Sequence, residues 1–269
     1  MIGLGSSRRW AAAGCAAILA VLSSCAPHRV SLPEVSPASL AERYRLALAE
    51  RLERGGAMES EVVLWAEVAG QRRWPGIQAD VYAAAPDAVR LKVGSTFGTA
   101  AILGARGDSL RAYLPAERLG LRLDASRDSL PIAGVGALAY RALSAAWRPP
   151  AEAWQRASRV DSLLEVDWME EGDSLALRVG RAGLPVQVSG AHQEVRWRAD
   201  YRGWDRSSGI AWPSWVEFTQ GSLHLKCKVT RSRWQARADT LRLAVRIPAG
   251  ADALTLDDLR AALRRLGSF

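Results

Sequence analysis

From Glu59 onward, apolar and polar positions alternate with a period of two. Val81-Ala83-Ala85, Val89-Leu91-Val93, Leu119-Leu121-Leu123, Leu175-Leu177-Val179, Val186-Val188, Val195-Trp197-Ala199-Tyr201 and Leu223-Leu225 each put one apolar row on a strand. Polar residues, often arginine, occupy the opposite row. Turn signals separate the runs at short intervals: Ala85-Pro86-Asp87, Arg106-Gly107-Asp108, Glu171-Gly172-Asp173 and Gly183. The pattern predicts a meander of about ten antiparallel strands with one greasy side.

Helical spacing appears in three places. Leu40, Tyr44, Ala47, Leu48 and Leu52 recur at three- and four-residue steps, with Ser36 as N-cap, Pro37 at the first helical position and Gly55-Gly56 at the end. This predicts a helix from Pro37 to about Arg54. Between Pro131 and Pro149, Val135, Leu138, Ala142, Leu143 and Trp147 recur on an alanine-rich background, which predicts an inserted helix from Ala133 to Trp147. Near the C-terminus a strand is expected at Leu241 to Ile247, then a helix from about Leu254 to Leu266.

One apolar sheet face cannot stay in water, because patches beyond a few hundred Å² drive association. The sheet must curl, and the first two helices are the available covers, so an α+β fold of a curved sheet under a helical lid is expected. Such a fold can pack solid or keep a cavity, and the periodicity fits both. If there is a cavity, its walls are Leu91, Val93, Leu121, Leu123, Val186, Val188, Trp197, Phe218 and Leu225. Leu138, Leu143 and Trp147 would face it from the lid helix.

The N-terminus follows a different pattern. After Arg8-Arg9 comes an uncharged run of 13 residues, Trp10 to Leu22, too short to span a bilayer and closed by Leu22-Ser23-Ser24-Cys25. This has the look of a lipoprotein signal peptide with a lipobox. Residues 1–24 would be removed and Cys25 lipidated; the alternative is an ordinary secretory signal cut near Ser24. Acyl chains at about 0.8 kcal/mol per buried methylene make a stable anchor. Ala26, in place of an aspartate after Cys25, resembles the outer-membrane sorting class. The run Ala26 to Pro37 holds three prolines, so residues 25–36 read as a tether, leaving residues 37–269 as a single domain.

Composition narrows the function. The formal charge is +8, and Arg8 and Arg9 are the only charges in residues 1–24, so the mature chain carries +6. The excess arginine is scattered along polar rows instead of gathered in a stripe, which argues against nucleic-acid binding. The three histidines His28, His192 and His224 lie apart; there is no HExxH, no CxxC and no G-x-S-x-G elbow. Gly134-Val135-Gly136 lacks the dinucleotide continuation, and the pairs Glu170-Glu171 and Asp257-Asp258 fall at turns or helix starts. No catalytic residue, metal or cofactor is expected, so the chain is not expected to be an enzyme. Cys227 stands in an apolar alternation and reads as a small buried hydrophobe. A concave face of Leu, Val and Trp suits a long aliphatic ligand, whose burial needs area more than directed contacts.

Several segments resemble the lipoprotein-localisation proteins LolA and LolB. They are Val89 to Thr99, Ala100 to Leu103, Gly107 to Pro115, Ser129-Leu130-Pro131-Ile132 with the helix ending at Trp147-Arg148-Pro149, Gly209 to Phe218, and Leu223-His224-Leu225-Lys226 with Trp234. Together they span roughly residues 59 to 236, and the lipobox is a LolB trait. The resemblance implies an unclosed antiparallel half-barrel plugged by helices, an apolar cavity for acyl chains, and no cofactor. It implies attachment to the outer membrane, facing the periplasm, with lipoprotein or other lipid acyl chains and a periplasmic carrier protein as partners. It also sets Phe97, in the loop Gly94 to Gly98, where LolB presents an exposed leucine. Phe97 would touch the bilayer or acyl chains, or else fold back on the sheet. The extension Thr240 to Phe269 departs from LolB. The alternative function is an envelope scaffold lipoprotein of this fold that binds a protein partner.

Overall fold

The computed structural model describes residues 36–53, 56–68, 76–95, 98–124, 127, 134–192, 195–207 and 209–255. Residues 1–24, Cys25, the tether up to residue 35, Phe97 and most of the expected C-terminal helix lie outside the described residues.

A single sheet dominates. Its first half is a meander of β1 (Ala57–Val68), β2 (Ile77–Ala84), β3 (Ala88–Ser95), β4 (Gly98–Arg106), β5 (Ser109–Leu114) and β6 (Leu119–Asp124). Two helices interrupt it, α2 (Val135–Ser144) and α3 (Ala151–Gln155). The second half is β7 (Ser158–Val160), β8 (Leu163–Glu170), β9 (Asp173–Val179), β10 (Pro185–His192), β11 (Val195–Asp205), β12 (Trp212–Gln220) and β13 (Leu223–Gln235). Helix α1 (Pro37–Glu53) precedes the sheet, while one helical turn, α4 (Thr240–Leu243), and the two-residue β14 (Asp252–Ala253) follow it. The spatial order is β14-β6-β5-β4-β3-β2-β1-β13-β12-β11-β10-β9-β8-β7. The two meanders join where β1 pairs antiparallel with β13, and the end strands are not paired with each other, so the sheet is unclosed.

The expected count of about ten strands is therefore too low: the described residues form 14. Alternation alone does not show β4, where Ala100, Ala101, Gly104 and Ala105 soften the contrast, nor the short β7 and β14. The strand expected at Leu241 to Ile247 is also corrected. Asp239 caps a helical turn there, its Oδ1 accepting from Leu241 N at 2.9 Å. The chain then runs extended, without a ladder, as a strap across the outer face of β2 to β6. Its alternating apolar residues pack down onto the sheet. Leu243 joins Ala57, Tyr82, Ala84 and Ala88, and Val245 and Ile247 fill the space over Gly104 and Gly120. A Cβ on those glycines would stand 2.5 Å and 2.4 Å from the two side chains. An extended segment lying face-on to a sheet needs the same period of two as a strand within one. Arg242 clamps the strap to Glu59, with Nη1 donating to Oε2 at 3.1 Å and Nη2 to Oε1.

Helix α1 forms as expected, with Ser36 Oγ accepting from Ser39 N at 3.2 Å. It packs on β8 and on the β9–β10 turn, where the positive φ of Gly183 and its lack of a Cβ admit Arg43. Helix α2 is shorter than the expected Ala133 to Trp147. Ala145 turns left-handed at φ 55°, residues 146–150 carry no regular secondary structure, and Pro150 is extended at φ −66° and ψ 161°. Trp147 thus lies beyond the lid helix, not in it.

Candidate functional site

The register places the apolar rows of both meanders on one face. Leu123, Leu110, Ala105, Val89 and Ala83 follow one another across β6 to β2, and Val81, Leu91, Leu103, Ala112 and Leu121 form the parallel row. Across the junction the face continues through Cys227, Val216, Tyr201 and their neighbours to Leu177 and Val166. Eight of the nine expected cavity residues share this face. Val186 does not take its expected place, because β10 bulges between Pro185 and Gln187 and leaves it outside the regular alternation, leaning toward Gly180.

Burial along the face is uneven, and this decides what it can do. Where the strands run under the helices, Met58, Val62, Val81, Ala83, Leu164, Val166, Leu177, Val188 and Leu121 are buried core. Leu121 and Val188 are thus packing residues here. Toward the opposite ends the same rows open up. Leu64, Ile77, Leu91, Val93, Trp197 and Phe218 are half-buried, and Leu103 and Leu225 are 36% and 39% exposed. The result is an apolar trough, solidly packed at one end and incompletely filled at the other.

Helix α2 lies against β3, β4, β5 and β12 at the packed end. Its Leu138 and Leu143 are half-buried. Gly136 seats its first turn on two hairpin turns, donating its N–H to Gly107 O at 2.8 Å, and Asp108 Oδ1 accepts from Gly134 N at 2.6 Å. The far side is tied to β8 by Arg141 Nη1 donating to Glu170 Oε1 at 2.7 Å. Trp147, 1% exposed, is a fixed post beyond the helix: its Nε1 donates to Tyr201 Oη at 2.9 Å, and Tyr44 donates its hydroxyl to Trp147 O. A line of rings leads from this post into the trough, Trp147 on Trp197 at 5.4 Å and Trp197 on Phe218 at 6.2 Å. Gly190 lets Trp197 lie flat on the sheet; a Cβ there would stand 2.4 Å from the indole.

Sequence reasoning missed Arg51. At 1% exposed it is a buried cation, 5.4 Å over the ring of Trp204, with Nη2 donating weakly to Ala145 O at 3.5 Å. Its Nε and Nη1 have no hydrogen-bond partner. Tyr44, Tyr140 and Tyr201 lie within electrostatic reach, and among the described residues the one carboxylate acting on it is that of its sequence neighbour Glu50, the smallest of these influences. Burial lowers the Arg51 pKa and the tyrosines oppose that shift, but a guanidinium stays charged. Burial also holds Tyr44 and Tyr201 above the ordinary phenol range and pushes Tyr140 up to about 12. The signal in the sequence was an arginine on the apolar stripe of α1, seven residues after Tyr44.

Next to this cage, α1 and the segment 148–154 enclose a cleft of about 480 Å³, with Tyr44, Leu48, Leu52 and Trp154 as walls and Arg45 and Arg148 at the rim. Cys227 is buried as expected, and burial pushes its thiol up to about 12. Among the described residues no cluster of His, Cys, Asp or Glu could hold a metal, and no helix is long and apolar enough to cross a membrane.

No family model and no curated protein matches the chain in sequence. In fold it is similar to a LolA superfamily protein from Nitrosomonas europaea, at TM-score 0.51 and 13% identity over 78% of this chain and 98% of that one. A DUF1329 family protein from Desulfovibrio piger aligns at TM-score 0.50 and 11% identity, again over 78% and 98%. A putative outer membrane lipoprotein-sorting protein domain from Vibrio parahaemolyticus aligns at TM-score 0.48 and 12% identity, over 85% and 99%. The curved, unclosed antiparallel sheet with a few helices is thus a LolA-like fold at low sequence identity.

Proposed function

We propose that this chain, folded as the LolA superfamily folds, is a lipid-anchored envelope protein that binds acyl chains in its trough and receives or inserts lipoproteins or other lipids at the outer membrane. The observation that carries this reading is the uneven filling of one apolar face: Leu64, Ile77, Leu91, Val93 and Phe218 are only half-buried and Leu225 is 39% exposed, while the other end of the face is packed. Covering such area gains about 25 cal/mol per Å², so an aliphatic chain is the natural occupant. Cys25 would hold the body at one membrane, making it a fixed receiver, and a periplasmic carrier protein would deliver to it. The mechanism is passive and non-catalytic. Helix α2 opens, chains exchange into the trough, and transfer follows relative affinity, a ligand shifting the lid only by its differential affinity for the open state. Phe97, in the β3–β4 hairpin, belongs to this proposal as the residue that meets the bilayer or the cargo chains.

Native mass spectrometry of the body lacking residues 1–25, purified from a bacterial envelope, tests this. Copurified lipid is expected. A protein that is persistently empty and excludes fatty-acid probes overturns the carrier reading in favour of a scaffold with a protein-binding rim. In a second arm Phe97→Glu should abolish lipid transfer between vesicles with the thermal midpoint nearly unchanged; a large drop in that midpoint would make Phe97 core.

A further inference from the structure

We infer that Arg51 is the docking point for the anionic group of an amphiphile, a carboxylate or phosphate whose attached chain lies along the ring ladder toward the open trough. The inference rests on the acyl-binding reading and adds to it the charge class of the ligand.

A guanidinium removed from water normally faces a carboxylate, and lacking one it carries an uncompensated charge. Arg51 is 1% exposed, and Nε and Nη1 are left without any acceptor. Among the described residues its surroundings supply a ring face, one carbonyl at 3.5 Å, and tyrosines, but no carboxylate hydrogen-bonded to it. The Tyr201 hydroxyl accepts from Trp147 Nε1 and keeps its own proton for a further acceptor. Two unpartnered guanidinium N–H groups, on separate edges of the guanidinium and within electrostatic reach of a phenol, are donors that a carboxylate or phosphate oxygen accepts from.

Two further observations give the ligand its shape. Trp147, bonded to Tyr201, begins the stacked line through Trp197 to Phe218, which ends among the half-buried residues of the trough. An amphiphile with its charge at the cage therefore has an apolar path for its chain. The cleft beside the cage shares Tyr44 as a wall and is lined by Arg45, Arg148 and Glu53, with Arg45 paired to Glu42 at 3.7 Å. Arg51 Nη2 holds Ala145 O at the C-terminal end of α2, so lid opening at that end uncovers the guanidinium.

The test uses the full chain in phosphatidylcholine liposomes and photo-crosslinkable probes sharing one 16-carbon chain: diazirine palmitic acid, diazirine palmitoyl lysophosphatidic acid and neutral diazirine hexadecanol. Labelling by the two anionic probes is expected to exceed that by hexadecanol about tenfold or more, the scale of a charge-assisted hydrogen-bonded pair. In Arg51→Met the ratio should fall to about one, and Arg51→Lys should keep part of it. Inorganic phosphate as competitor separates the sources of the group: suppression of the anionic labelling assigns the site to free phosphate as well, and persistence assigns it to the lipid head alone. Equal labelling of the wild type by all three probes, or an undiminished ratio in Arg51→Met, overturns the Arg51 site while sparing the acyl-binding reading. Labelling by none of the probes overturns both. The wild-type ratio decides the matter even if the methionine variant does not fold.

Discussion

Single residues set the approach distances in this fold, and small ones do so most sharply. Gly136 sits in the first turn of α2 where a Cβ would lie 2.1 Å from Asp87 O and 2.6 Å from Gly107 N, both backbone atoms that cannot swing away. In an isolated helix, Gly→Ala would gain about 1 kcal/mol. Here the overlap dominates, and Gly136→Ala is expected to destabilise the protein by about 1–3 kcal/mol. Chemical denaturation should show the loss, and amide exchange should place it in α2 and the turns at Asp87 and Gly107. A gain in stability would mean that the lid is not seated there. Gly190 works in the same way beneath Trp197, which is why a tryptophan that reads in sequence as one more apolar strand residue can become the middle of a ring stack. Arg51 is the opposite case. By type it belongs on a surface, and only its neighbours on α2 and β11 make it a buried cation.

At the scale of elements, the same sequence signal has produced two different structures. Leu223-Leu225 and Leu243-Val245-Ile247 both alternate, yet the first lies in a ladder and the second is a strap pressed on the outer face of one. The strap covers Tyr82, Ala84 and Ala88, which would otherwise leave the first meander apolar on both sides. Val245→Asp puts a charge where the side chain is 4% exposed, over Gly104, and is expected to lower stability by about 2–3 kcal/mol. Hydrogen exchange should rise in β4 and β6, beneath the strap, and stay unchanged in β8 and β9 at the far end of the sheet. Uniform loss of protection would show that the strap and both meanders unfold as one unit. Helix α2 shows a related ambiguity. Its apolar spacing runs on through Trp147, but the helix stops at Ser144, where Ala145 turns left-handed four residues before Pro149-Pro150.

For the molecule as a whole, burial keeps several titratable side chains neutral. Burial pushes Tyr140 and Cys227 up to about 12 from ordinary values of 10.0 and 9.0, and raises Tyr44 and Tyr201 further. A group whose folded pKa lies above its unfolded one stabilises fully below the unfolded value. That contribution is lost as pH rises through the folded value. Stability is therefore expected to be level up to about pH 9 and to fall steeply between about pH 9 and 12. Denaturant midpoints measured across that range, with tyrosinate absorbance followed in parallel, check this: phenolate should appear together with unfolding. Early titration of these tyrosines in the folded protein would show that the packed end admits water.

What the sequence by itself determined is the material of each face. A period of two with arginine opposite leucine and valine dictates a sheet with one apolar side, since side chains alternate across any strand and water accepts only one of the two rows. It also determined the entry helix, whose cap and proline act locally, and the resemblance to LolA and LolB in the order of its hairpins. Tertiary structure alone decided how much of that apolar side is filled. Leu121 and Val188 are packed solid while Leu91 and Leu225 are not, although all four look alike along the chain. Burial depends on what lies above a residue, and what lies above is set by the end points of α2, by Trp147 as a post, and by a strap that is far away in sequence. The Arg51 cage was hidden for the same reason. An unpaired cation is recognised by the absence of a carboxylate around it, and that absence exists only once α1, α2 and β11 have come together.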